Sequence, residues 1–385
     1  FWLFMAYKRS EHAEQRAGAL FYGGASILLA LPLLVEASSR FGMLSGLQGV
    51  VALTVFCTLA TVVAGVRDLR LLAWLTTGGA IVTAFVLLRL TRSVVPVGAF
   101  LVLLGVGSLW VAYLRDWLGP KWLAAFGAVA GVLAVAVLST NEQWSVAPIS
   151  AFLLASLMLA AYAVSYAVHT HMHDREVAAF EPVQTLLAVA VAVVAASVAV
   201  RAGQLALAPV GLLTLVLSAA AYALAFTPQT RTARGRNFFF YSTFGLVLLV
   251  VGSALLFSPA IAAAAWSVLA IAMAWFSGRF ERVALSLQCT FLLLAAGISS
   301  GILQTGWLAL AGDATSWPAL VPWHIVIALT TMACLFIPVA QHSERWGTLA
   351  GLPQLIVLAL SVWEVGGLIV AYAGPLLADA GTPQA

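Results

Sequence analysis

LPQLIVLALSVWEVGGLIVAY, residues 352–372, is the stretch that decides the fold class. A helix rises 1.5 Å per residue, so about 20 apolar residues cross the roughly 30 Å hydrocarbon core of a bilayer. This stretch is that long and carries one charged side chain, Glu364. Similar uncharged runs recur from end to end of the chain. Lipid offers no partner to a free backbone N–H or C=O, so spanning segments are helices or a closed barrel. Barrel strands are about ten-residue segments of alternating polarity. The runs here are longer and do not alternate. The fold expected is all-α, a polytopic transmembrane helical bundle. It forms one domain over residues 1–385, with no soluble domain.

Composition agrees. The chain is 63% hydrophobic and 8% charged, with mean hydropathy +1.05. A water-soluble domain is about one-quarter charged. The net charge of +4 does not point to nucleic acid, because the basic residues are scattered over short loops and form no patch. The partners expected are the lipid bilayer and other membrane subunits or further copies of the chain. Cys57, Cys289 and Cys334 each lie in an apolar run, without the paired spacing of zinc or haem motifs, and no cofactor is expected.

Spans read at about 18–36, 45–66, 70–90, 94–114, 121–140, 147–168, 182–200, 203–226, 237–257, 260–278, 283–302, 318–340 and 352–373. That is about thirteen full spans plus a partial N-terminal one, FWLFMAY, whose beginning is expected upstream of Phe1. The uncharged run 237–278 is split at Ser258–Pro259, because proline ends a helix and permits a tight turn. Alternating the loops then places fourteen of the 18 Lys and Arg residues on one side, and leaves Arg40, Arg89, Arg92 and Arg201 on the other. The richer side is the cytoplasmic one. Loop 8–17 is therefore expected in the cytoplasm and the C-terminus outside, in a bacterial inner membrane. The stretch 303–317, with Trp307 and Trp317, is expected along the outer interface or slightly re-entrant. No lysine is read within a span, Lys121 being assigned to a loop.

Glu364 is the leading candidate site. A carboxylate in hydrocarbon is costly, so it faces protein or water, or stays protonated. Ser361, Gly367 and Ala371 share its helix face, with Val357 and Leu360 a turn or two back. A stripe of small residues suits close helix packing, so Glu364 is expected to point into the bundle. There it acts as a proton or cation relay, as a contact to a polar group, or as an interhelical hydrogen-bonding group. His324, on the preceding span, is placed within reach of it. His169, His171, His173 and Asp174 form the string HTHMHD at a span end. His169 and His173 share a helix face, a weak metal geometry, and a solvated loop is the simpler account. No phosphate-binding loop, zinc-protease motif or nucleophile elbow occurs.

Three stretches carry a resemblance: RDLRLLAWLTTGGAIVTAFVL from Arg67, AYLRDWLGPKWLAAFGAVAGVL from Ala112, and SPAIAAAAWSVLAIAMAWFSGRFERVALSLQCTFLLLAAGI from Ser258. Each joins apolar helices through a short Arg-bearing turn. They resemble a family of large polytopic bacterial inner-membrane proteins of unknown function, built from many short transmembrane helical hairpins. The resemblance implies fold and membrane location and supplies no activity. Members often carry a glutamate three residues after a tryptophan matching Trp266, and here that position is Leu269. The leading functional expectation is an accessory or scaffold subunit. The alternatives are a secondary transporter or flippase with a protonatable site at Glu364, and an enzyme acting on a lipid-linked substrate.

Overall fold

The computed structural model describes residues 1–115, 117, 119–172, 175–227, 235–311, 321–339 and 350–380. They form fifteen α-helices and no strand. Twelve helices are long and apolar enough to cross a membrane, which makes this an integral multi-pass membrane protein. The chain divides into two compact units, Phe1–Ala206 and Leu207–Ala385.

The first unit holds α1 (Trp2–Arg9), α2 (Arg16–Ser39), α3 (Gly46–Val66), α4 (Arg70–Thr91), α5 (Val94–Arg115), α6 (Gly119–Leu138), α7 (Pro148–Met172) and α8 (Phe180–Arg201). Sequential helices form hairpins, α5 with α6 and α7 with α8, while α2 and α3 pack on α4 and α6 packs on α8. The second unit holds α9 (Leu207–Ala225), α10 (Gly235–Leu256), α11 (Pro259–Phe280), α12 (Val283–Ser300), α13 (Ile302–Ala311), α14 (Pro322–Phe336) and α15 (Leu352–Ala380). Here α9 pairs with α10, α11 with α12, and α15 receives α12, α13 and α14.

Local chemistry sets the helix ends. Ser45 and Gln48 form a reciprocal capping box at the start of α3, satisfying two backbone donors that a helix start leaves free. Ser258 is extended and Pro259 opens α11, so the long uncharged run does turn there. Alanines such as Ala60, Ala80, Ala128 and Ala195 are fully buried at helix crossings, while Leu28, Leu33, Val82, Leu153 and Val268 face outward. Small side chains inside and large apolar ones outside suit a lipid solvent, which leaves no hydrophobic force between helices and relies on close packing.

One expectation needs correction. The span expected at about 318–340 is represented by α14, Pro322–Phe336, about 22 Å long at 1.5 Å per residue. Ile337 is extended because it precedes Pro338, and a residue before proline is pushed out of the helical region. The stretch 303–317, expected along the outer interface or slightly re-entrant, begins in α13, which packs against α15; its residues 312–317 lie outside the described set.

Candidate functional site

In the second unit, Pro353, Val357, Leu360, Ser361, Glu364, Gly367 and Ala371 are the buried face of α15. Glu364 is completely buried, at 0% exposure. Its Oε1 lies against Gly297 of α12: a Cβ added there would stand 3.1 Å away, beside Leu303 of α13. Thr331 of α14 is the polar side chain set against the carboxyl, and its own hydroxyl donates to the Ile327 carbonyl at 3.1 Å. Neither carboxyl oxygen makes a hydrogen bond among the described residues. Ser361 donates to the Val357 carbonyl at 2.9 Å.

Depth follows from the cross-helix contacts. Thr290 donates to the Pro353 carbonyl at 3.3 Å, so α15 begins about two turns into α12. Ser299, at the end of α12, donates to the Pro259 carbonyl at the start of α11. Gly297, level with the carboxyl, is therefore about one turn inside the end of both helices. Glu364 lies near the middle of 352–372, and the stagger of α15 against α12 sets its carboxyl beside the last turn of α12.

At that end α12 stops at Gly301, whose φ of +80° is left-handed, a conformation glycine adopts without steric cost. The chain then continues as α13. Gly306 and Gly367 bring α13 and α15 into backbone contact, a Cβ on Gly367 standing 2.6 Å from the Gly306 Cα. Trp363 donates to the Leu303 carbonyl at 3.4 Å and stacks on Trp307. Short α13 thus closes over the glutamate. His324 Nε2 is 2.9 Å from the Ser300 carbonyl. A carbonyl only accepts, so Nε2 carries the hydrogen. His324 and Thr331 lie two turns apart on α14, about 10 Å along the axis. The histidine and glutamate therefore engage different partners: His324 holds the end of α12, and Glu364 sits against Thr331.

The first unit holds a second cluster of ionisable residues that the sequence reading missed. Lys121, in the first turn of α6, is buried, which corrects its assignment to a loop. Its Nζ is 4.0 Å from Oε1 of Glu181, in the first turn of α8, with side chains 6% and 3% exposed. Tyr113, near the end of α5, donates to the same oxygen at 3.1 Å. The Ala178 N–H donates to Oε2 at 2.8 Å. Lys121 stands 4.6 Å from the Phe180 ring centre and 5.6 Å from that of Tyr113, within cation–π range. The register carried a signal. Lys121 is in phase with Ala124, Ala125 and Ala128, and Glu181 with Gln184, Thr185 and Ala188, all buried. Each charge thus lies on a core-facing stripe.

The histidine string divides. His169 stacks face to face on Tyr113, with ring centres 3.6 Å apart and planes 3° apart. His171 lies 3.0 Å from the Thr170 hydroxyl, and two residues along a helix face opposite sides. His173 and Asp174 lie outside the described residues. Among the described residues no three His, Cys, Asp or Glu side chains converge as metal ligands. Comparison with protein-family models, curated proteins and solved structures finds no match.

Proposed function

We propose that this protein is a structural or accessory subunit of a bacterial inner-membrane assembly, with loop 8–17 in the cytoplasm and the C-terminus outside. The observation that carries this reading is the enclosure of Glu364. A carrier's coupling carboxylate needs contact with water from each side in turn. Glu364 is packed between Gly297, Leu303 and Thr331. Away from the α13 end, α12, α14 and α15 bury apolar Cys289, Leu292, Leu293, Cys334, Val357 and Leu360, and the polar side chains buried among them are bonded within the protein: Ser286 to Val283, Gln288 to Ser242 and Tyr222, Thr290 to Ser286 and Pro353, Ser361 to Val357. The carboxyl thus acts as a polar contact within a rigid helix group.

A second reading, a secondary transporter with a protonatable site at Glu364, is favoured by one observation: both carboxyl oxygens are buried and, apart from the Thr331 hydroxyl set against them, have no polar partner among the described residues. A polar group left so in a native interior asks for an explanation, and function is one. Native mass spectrometry of the full chain, extracted from its own membrane in lipid discs, separates the two. A stoichiometric mass containing other membrane subunits, or several copies of this chain, is expected. A single copy alone would overturn the subunit reading.

A further inference from the structure

The helix ends around Lys121 and Glu181 open onto a column of polar side chains that leads into the first unit. On α7, Tyr166 and Tyr162 follow one another at a spacing of one turn, with ring centres 5.9 Å apart. The Tyr166 hydroxyl lies within electrostatic reach of Tyr162, Tyr113 and Glu181. On α8, Gln184 is three residues beyond Glu181 on the same buried face. Glu181, Tyr166 and Tyr162 thus follow one another inward, and Gln184 lies one turn inside Glu181 on α8. The Tyr162 hydroxyl meets Gly105, eight residues before Tyr113 on α5, so the column descends about 12 Å, just over two helical turns.

Two of its members are unsatisfied. Gln184 Nε2 and Tyr162 Oη make no hydrogen bond among the described residues, although these residues are 2% and 1% exposed. The Tyr162 hydroxyl points at Gly105, in contact with the place a side chain there would fill. Beyond it Leu101, Val132, Leu154 and Met158 are buried and apolar, so the column is blind. Buried polar groups without protein partners are the groups that internal water bridges. At the mouth, Glu181 is held by Tyr113 and the Ala178 N–H independently of Lys121. The lysine, at 4.0 Å from the carboxylate, is beyond hydrogen-bond distance and is the looser member.

We propose that the first unit contains a blind, water-filled inlet, entered where α5, α6, α7 and α8 end together. Its ligand is a chain of ordered water reaching Tyr162, and the Lys121–Glu181 pair is its gate. The inlet gives water, and protons carried by water, access to the interior of the unit from one membrane face only.

Radiolytic hydroxyl-radical footprinting of the full chain in lipid discs tests this, because the radical forms from water held next to the side chain it marks. Tyr162 is expected to be oxidised faster than Trp266, a more reactive ring that is equally enclosed but bonded to Ser253 at 2.8 Å. Lys121→Met is expected to raise the Tyr162 rate while leaving that of Trp266 unchanged. A Tyr162 rate no greater than that of Trp266 in the unaltered protein would overturn the inlet, whatever the variant does. A Tyr162 rate unchanged in a folded Lys121→Met protein would overturn the gate.

Discussion

The Lys121–Glu181 pair places two opposite charges where an apolar alternative would cost less. Removing one partner of a buried pair leaves the other uncompensated and typically costs about 3–5 kcal/mol, whereas removing both is far less damaging. Lys121→Met or Glu181→Gln alone is therefore expected to destabilise the protein by about 3 kcal/mol, and the double variant by clearly less. Thermal unfolding of the three variants in detergent checks this, and additive losses would show that the residues do not interact. The pair was legible in principle, since both charges are in phase with buried stripes. It was hidden because charges flanking apolar runs belong by default to loops. Glu364 was legible as buried because its neighbours three and four residues away are small. Its partners were not, because which side chains of other helices meet it depends on how those helices slide past one another.

Among elements, α15 and α13 show how little side chain a membrane crossing needs. Gly366 and Gly367 are adjacent, yet a Cβ on Gly366 meets nothing within 4 Å while one on Gly367 meets the Gly306 backbone. Alanine favours a helix over glycine by up to about 1 kcal/mol. Gly366→Ala is therefore expected to be neutral or mildly stabilising. Gly367→Ala must separate α13 from α15 and is expected to cost about 1–3 kcal/mol, the range for overpacking. Comparing the two unfolding temperatures isolates the contact, and matching shifts would deny that α13 lies on α15. The sequence announced the long helices through run length and the Pro259 turn through proline chemistry. It did not announce α13, since an apolar segment of this length reads equally well as an interfacial loop, and only the glycine on the facing helix decides.

On the scale of the whole chain, the thirteen-span reading places fourteen of 18 basic residues on one side of the alternating loops, so the sequence carries an expectation for the order of crossings. It carries none for the depth of each group. Run length fixes that a helix crosses, whereas the stagger of α15 against α12 decides that the Glu364 carboxyl meets the last turn of α12 at Gly297. That contact, with closure by α13 and the internal bonding of the buried polar groups Gln288 and Thr290 beyond it, underlies the claim that Glu364 is a packed contact with no part in a transport route. Proton entry into liposomes enclosing a pH-sensitive dye, driven by a potassium diffusion potential, tests this claim most directly. The account predicts that liposomes containing the protein take up protons no faster than empty ones, and that Glu364→Gln changes nothing. Uptake above the empty-liposome rate, abolished by Glu364→Gln in a folded protein, would contradict it.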